Sequence, residues 1–446
     1  LTVGLIAPSS AQDAYRLPPQ DVIDIVDAPL SPWPSLSPNR DVLLLMHREA
    51  LPPISELARP MERLAGLRLD AATNGRHGPR SVVGLSLIDL DTQRVRVIDL
   101  PADAGISNTS WSPDGESIAF ILTQGDTLSL WVADLETATA RELVPAGINA
   151  VFSPVSWMPD SERLLVHLAP ASRGAMPERP RVPTGPVTQE ASGIEAQVRT
   201  YQDLLTGPPD AALFAWLATS QLALVDTATG ATETIGEPGF IYSSDPSPNG
   251  DYILVGEMER PFSYDVPWSS FPDRTFVIDL EGEEVATIAR QPVADYVPIG
   301  GVIRGRRDIS WQASHPSRLT WAEALDGGDP RVETDQRDSV WAQEAPFTAD
   351  PVEILRTEDR YYGAQFTEVG ETAFAMEYDR DTRVIRRWLV DFADPSVAPR
   401  LAEERNYQDS YANPGSPETT RNEFGRSVVA VPDGYMYMTG NGATPE

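Results

Sequence analysis

Bond cleavage by nucleophilic attack needs a positioned hydroxyl or thiol with a base beside it, and the sequence shows neither in a recognisable arrangement. No Gly-x-Ser-x-Gly elbow occurs, and cysteine is absent, which removes thiolate chemistry, disulfides and Cys-based metal sites. The four histidines, His47, His77, His167 and His315, stand alone, without metal-ligand spacing. His167 alternates with Val166 and Leu168 and reads as a strand-surface residue. Asp326-Gly327-Gly328-Asp329-Pro330 lacks the further oxygens of a calcium loop and reads as a tight turn. Asp89 and Asp91, two apart on a strand, read as solvated turn flanks. What the chain offers instead is guanidinium. Arg304, Arg306 and Arg307 precede a short strand, Arg199 falls in a long insertion, and Arg260 sits in Glu259-Arg260-Pro261-Phe262. The planar fork of Arg matches a carboxylate, so a few such groups facing a cavity would make a positive well for an acidic ligand. Ion pairs with the chain's own Asp and Glu are the competing use of each. The candidate binding set is therefore Arg199, Arg260, Arg306 and Arg307, with no catalytic residue, metal ligand or cofactor assigned.

These residues must be carried by a repeat. Trp111-Ser112-Pro113-Asp114-Gly115 returns as Trp157-Met158-Pro159-Asp160-Ser161, as Asp245-Pro246-Ser247-Pro248-Asn249-Gly250, and early on as Leu36-Ser37-Pro38-Asn39-Arg40. Each copy precedes a short apolar strand, and several are followed by a second strand ending in Asp and a polar turn, as at Asp134 and Asp226. A unit this small cannot bury its own faces, so repetition implies radial stacking into a β-propeller. Trp111, Trp157 and Trp311 are expected to pack between neighbouring blades. The pattern predicts an all-β, seven-bladed propeller with its last blade incomplete.

Composition agrees with that class. The chain has 446 residues, 41 prolines and 31 glycines, which suits many short strands joined by turns. Its net charge of −31 disfavours a basic surface for nucleic acid or anionic lipid, so neither is expected as a partner. All 35 cations are Arg.

Along the chain, residues 1–14 read as the remnant of a signal peptide plus the mature N-terminus, with Ser9-Ser10-Ala11 as small cleavage-site residues. Export to the periplasm or medium is the expectation. A Pro-rich arm covers 15–33, and the propeller runs over 34–446. Residues 54–67 have helical spacing despite Pro60. A second blade is expected at 105–146. A third is interrupted by an insertion over about 170–219, in which 197–205 and 211–218 are helical in pattern. Further blades are expected at 240–292, 306–356 and 361–402, and a seventh begins near Phe424. The chain looks cut at both ends.

Specific strings then point to a family. Tyr15-Arg16-Leu17-Pro18-Pro19-Gln20, Leu51-Pro52-Pro53-Ile54-Ser55-Glu56-Leu57-Ala58-Arg59-Pro60, Arg260-Pro261-Phe262-Ser263-Tyr264 and Trp321-Ala322-Glu323-Ala324-Leu325-Asp326 occur in order. With Gln197-Val198-Arg199-Thr200-Tyr201-Gln202-Asp203 between them, the chain resembles glutamyl endopeptidases of the prolyl oligopeptidase family of serine peptidases over most of 15–370. The resemblance implies a propeller that restricts access to a following α/β-hydrolase domain with Ser, Asp and His, and cleavage after Glu. It implies peptides or unfolded segments as substrates and the downstream hydrolase domain as partner. None of the three catalytic residues can be placed in this chain, and a family role for a propeller Lys would pass to Arg or be lost. Two rivals stay open: a non-enzymatic periplasmic propeller that binds a partner protein, as TolB-like proteins do, and a dipeptidyl-peptidase relative with acidic residues at its cavity mouth.

Overall fold

A computed structural model describes residues 17–79, 81–180, 199–440 and 442. The expectations for residues 1–14 and for 181–198 of the insertion lie outside the described residues. The fold is a β-propeller of four-stranded antiparallel sheets. Sheet one comprises Leu30–Leu36, Val42–Arg48, Val82–Asp89 and Val95–Ile98; sheet two comprises Gly105–Trp111, Ser117–Gln124, Thr127–Asp134 and Thr139–Val144. A single pairing of Val82 with Ile106 joins the two. Sheet three (Val155–Trp157, Arg163–Leu168, Ser220–Asp226, Thr232–Gly239) and sheet four (Ile241–Pro246, Tyr252–Met258, Asp273–Asp279, Glu284–Gln291) follow in strict chain order. So do sheet five (Arg306–Trp311, Arg318–Ala324, Asp338–Glu344, Val352–Thr357) and sheet six (Arg360–Phe366, Thr372–Tyr378, Val384–Asp391, Arg400–Asn406). Beyond them come two short pairs, Ser416–Pro417 with Met438–Thr439 and Thr419–Arg421 with Ser427–Val429. Residues 435–437 lie outside these strands.

Successive sheets bury their faces on each other, which is why the repeat must stack. Ile121 and Leu130 of sheet two share a core with Leu164, Val166 and Val225 of sheet three. Leu165 and Leu224 of sheet three meet Ile253, Val255 and Phe276 of sheet four. Val277 of sheet four meets Leu319 and Trp321 of sheet five, and Val340 of sheet five meets Ala373 and Val390 of sheet six.

The repeated turn has a defined task. The indole of Trp111 donates to Ser35 Oγ (2.9 Å), that of Trp157 to the Ser110 carbonyl (3.2 Å), and that of Trp311 to the Asp245 carbonyl (2.8 Å). Each Trp thus ties its sheet to the first strand of the preceding one. The turns bond to each other as well: Asn39 Nδ2 donates to the Asp114 carbonyl (2.7 Å), and the Asp114 amide to Ser161 Oγ (3.0 Å). In sheets one to three the Asp that ends the third strand accepts amide and hydroxyl bonds from a Thr three residues on, Asp89 from Thr92, Asp134 from Thr137 and Asp226 from Thr229. That is an Asx turn, with the side chain standing in for a backbone acceptor.

Three expectations are corrected. Helical spacing over 54–67 yields a helix only at Ile54–Leu57; beyond Pro60 the chain forms a hairpin, Glu62–Leu64 with Leu67–Asp70 and then Gly75–Arg76. Proline ends the helix, and Ala65 and Gly66, at φ 54° and 82°, supply the left-handed turn that a hairpin requires. Within the insertion, Pro208–Ala218 is a helix, whereas residues 199–205 are irregular. His167 is not on a strand surface but buried: its Nε2 shares a hydrogen bond with Ser244 Oγ at 2.8 Å.

Candidate functional site: a capped end of the propeller

Antiparallel order puts the links between second and third strands at one end of the propeller, opposite the repeated turns. Three of these links are long, and they come together. Leu64, Leu67 and Leu69 from the hairpin of sheet one pack with Phe214 and Leu217 from the sheet-three helix and with Phe262, Val266 and Phe271 from the sheet-four loop. Phe214 meets Phe262 edge-on at 5.2 Å and Phe271 at 5.9 Å. A shared apolar core therefore makes these loops one cap rather than three independent excursions. Polar bonds fasten its edge. Asn149 Nδ2 donates to the carbonyls of Leu217 (3.0 Å) and Thr219 (2.8 Å), and Arg173 stacks on Trp216 with its guanidinium carbon 3.6 Å from the ring centre.

Beneath the cap, between sheets four and five, lies a cavity of about 640 Å³. Tyr242, Gly256, Asp273 and Gln291 of sheet four form one wall, and Arg306 to Ile309 of sheet five form the other. Trp268, Asp265 and Asp295 from the loops and Arg199 and Tyr201 from the insertion complete it. Tyr242 Oη donates to Asp273 Oδ2 at 2.9 Å. Burial, with Asp273 beside it, pushes the Tyr242 hydroxyl far above the usual phenol range. Burial also raises the Asp273 carboxyl; the Tyr242 bond opposes that rise and the charge of Glu259 adds to it. Gly256 makes this pair possible. A Cβ there would lie 2.6 Å from Tyr242 Cζ, so the ring can lie against the strand only because the side chain is missing.

Three of the four arginines singled out from the sequence, Arg199, Arg306 and Arg307, line this cavity. Arg199 Nη2 reaches the Pro298 carbonyl at 3.4 Å. Arg306 lies over Trp321 at 4.3 Å, donates to the Ile288 carbonyl at 2.9 Å and stands 3.6 Å from Glu323. Arg307 is buried and doubly paired, with Asp308 and with Asp338 at 2.6 Å. Arg260 does not line the cavity; it sits over the rings of Phe240 and Phe262 at 5.3 and 4.9 Å. Arg304 lies over Tyr296 and donates to the Gly327 carbonyl. With Asp265, Asp273, Asp295 and Asp308 in the same lining, the cavity carries both signs of charge.

The Asp-Gly-Gly-Asp turn belongs to an ionic cluster. Asp326 accepts from Arg360 (2.6 Å) and Arg337 (2.9 Å), and the fully buried Asp338 accepts from Arg307 (2.6 Å), Arg360 (2.7 Å) and the Tyr361 amide (2.7 Å). Sheets five and six are thereby clamped through charge as well as apolar contact. Among the described residues, no group of three His, Asp or Glu is placed to hold a metal ion, and no helix is long and apolar enough to cross a membrane.

Sequence reasoning missed Tyr242, Asp273, Trp268 and Arg76. Arg76, on the sheet-one hairpin, lines two further clefts at the cap, of about 500 and 590 Å³. No local spacing marks these residues, because their neighbours come from other sheets.

No protein-family model matches the chain. A probable chloroplastic glutamyl endopeptidase of Oryza sativa subsp. japonica is 38% identical over 467 residues, covering 98% of this chain and 49% of that protein. Its counterpart in Arabidopsis thaliana is 37% identical over 455 residues, covering 97% and 47%. The chain thus spans about half the length of the curated relatives it matches. Among solved structures, Pyrococcus horikoshii acylaminoacyl peptidase superposes with a TM-score of 0.43 and 14% identity over 89% of this chain and 48% of its own. The propeller domain of the Trilobed protease from Pyrococcus furiosus gives 0.39 and 11% over 85% and 96%. Their low scores leave the family assignment to the sequence matches. Over the half of their length that it spans, this propeller chain belongs to the glutamyl endopeptidase family.

Proposed function

We propose that the chain is the substrate-gating propeller of a serine peptidase that cleaves peptides or unfolded segments after Glu. Identity of 38% sustained over 98% of the chain to a probable glutamyl endopeptidase carries this reading. In this reading the stack of sheets, with three loops packed into a cap at one end, passes an extended chain and excludes a folded domain. Acyl transfer itself requires a Ser activated by a base and an oxyanion hole. In this reading an α/β-hydrolase domain of the same protein supplies them, and the propeller contributes a filter of size and charge. The test is an assay of the full-length gene product on peptides differing only in Glu, Gln or Asp before the scissile bond. Preference for Glu, lost when the hydrolase Ser is replaced, supports the reading. Equal cleavage of all three, or none, refutes it. Translation of the gene beyond Glu446 separates it from a partner-binding propeller: the peptidase requires Gly-x-Ser-x-Gly followed by Asp and His.

The dipeptidyl-peptidase reading has one observation in its favour, the four aspartates lining the cavity between sheets four and five. Such a lining suits an ammonium group. Faster cleavage of peptides with free rather than acetylated N-termini would select it. Export completes the proposal, on the strength of the small residues Ser9-Ser10-Ala11 alone; cell fractionation of the tagged full-length protein tests it.

A further inference from the structure

The chain has 66 acidic residues and 35 arginines. At the cap Arg173, Arg199 and Arg260 have no ion pair among the described residues; Arg173 and Arg199 bond to amide or carbonyl groups, while Arg260 lies over Phe240 and Phe262. Around the sheet-one hairpin the arginines are satisfied. Arg59 is paired with Asp70 at 2.7 Å and Asp126 at 2.6 Å, and Arg68 with Asp203 at 2.9 Å. Arg63 stands 3.6 Å from the same Asp203. Arg76 lies among them on the last strand of the hairpin, paired with Leu69, and among the described residues no hydrogen bond or ion pair engages its guanidinium. Its guanidinium carbon lies over the face of Phe152, 5.9 Å from the ring centre. The nearby carboxylates are already taken, Asp70 by Arg59 and Asp203 by Arg68.

The position is built rather than loose. The His77 amide donates to the Arg68 carbonyl at 2.9 Å, and Gly75 bridges to Ala150 at the entry to sheet three. Arg76 borders both the 500 Å³ cleft toward sheet two and the 590 Å³ cleft toward Tyr201 and Asp203. A chain lying across the hairpin would therefore have room on either side of this one cation. Protein around the side chain lowers the guanidinium from its ordinary value by desolvation, with no carboxylate to offset it. Glu56 and Asp103, which line the 500 Å³ cleft, are themselves engaged.

We propose that Arg76 is the receptor for a substrate carboxylate: an acidic side chain docks on its guanidinium while the flanking peptide occupies the two clefts. This rests on the peptidase reading and adds a specificity-determining residue to it. Arg76 touches substrate in this scheme but takes no part in bond breaking.

The test uses the full-length protein and two probes, acetyl-Ala-Ala-Glu-amide and its Gln counterpart, titrated by calorimetry at low salt. The Glu probe should bind about tenfold to a hundredfold more tightly, the range of a charge-assisted hydrogen bond. Arg76→Gln should abolish the ratio by weakening the Glu probe alone, and Arg76→Lys should restore part of it. An unchanged ratio in Arg76→Gln, or equal weakening of both probes, overturns the proposal. Cleavage assays separate the two ideas. If the wild type cuts nothing after Glu yet the binding ratio exists and needs Arg76, the peptidase reading fails and the site stands. If cleavage after Glu proceeds with KM unchanged in Arg76→Gln, the site fails and the reading stands.

Discussion

His167 makes the stability of this propeller sensitive to acid in a way that can be isolated. The side chain is 2% exposed, enclosed where sheets three and four meet, with Ser244 Oγ at 2.8 Å from Nε2 and Ser220 Oγ at 3.4 Å from Nδ1. Burial lowers it from 6.5 to about 4. The folded protein thus refuses a proton that the unfolded chain accepts below pH 6.5. Stability is therefore retained above pH 6.5, falls as the pH drops below it, and has lost the full contribution below about pH 4. The full loss is about 3 kcal/mol, and about 2 kcal/mol of it falls between pH 7 and pH 5. Urea unfolding, followed by tryptophan fluorescence at both pH values, compares the wild type with His167→Gln. Gln keeps a polar group but does not titrate, and every other acidic or basic group is common to both proteins. The wild type should lose about 2 kcal/mol more than the variant on going from pH 7 to pH 5. Equal losses in the two proteins would refute the reasoning, because the imidazole would then be titrating as freely folded as unfolded.

Other outcomes follow from single contacts. Asp338→Asn leaves Arg307 and Arg360 at a buried position without their shared counter-charge; it should cost about 3–5 kcal/mol in urea unfolding, and a loss below about 1 kcal/mol would contradict the ionic clamp. Gly256→Ala forces the Tyr242 ring, 2.6 Å from the new Cβ, off its strand. A loss of about 1–3 kcal/mol with an altered near-ultraviolet circular dichroism spectrum is expected, whereas Gly84→Ala, whose nearest neighbour is at 3.7 Å, should be milder. Trp311→Phe removes the donor to the Asp245 carbonyl while keeping most of the apolar contact. About 1 kcal/mol should be lost, seen as a lower thermal midpoint, and an unchanged midpoint would deny the indole its tethering role.

How much of this was legible in advance varies with the range of the interactions involved. The Trp-Ser-Pro-Asp-Gly turn was readable because its parts are adjacent in sequence: Ser112 and Asp114 bond within the turn at Ser112 itself and at Glu116. The blades expected from turn spacing at 240–292, 306–356 and 361–402 match sheets that run over 241–291, 306–357 and 360–406. By contrast, spacing over 54–67 suggested a helix because Leu57, Met61 and Leu64 share a helical period. The hairpin prevailed because its leucines are buried against a helix more than a hundred residues away. His167 shows the same limit, since alternation identifies a strand but not whether its other face is covered.

The sequence by itself determined the repeating unit, the all-β class, the excess of acid over base and the supply of arginine as the sole strong cation. These depend on composition and on contacts a few residues apart. Only the tertiary structure decided which arginines are consumed in ion pairs and which are not. Arg306 and Arg307, prominent as a cluster, are tied to Glu323, Asp308 and Asp338, whereas Arg76, in an unremarkable stretch, has no carboxylate beside it among the described residues. A charge is neutralised by whatever the fold brings within about 4 Å of it, and that distance bears no relation to separation along the chain.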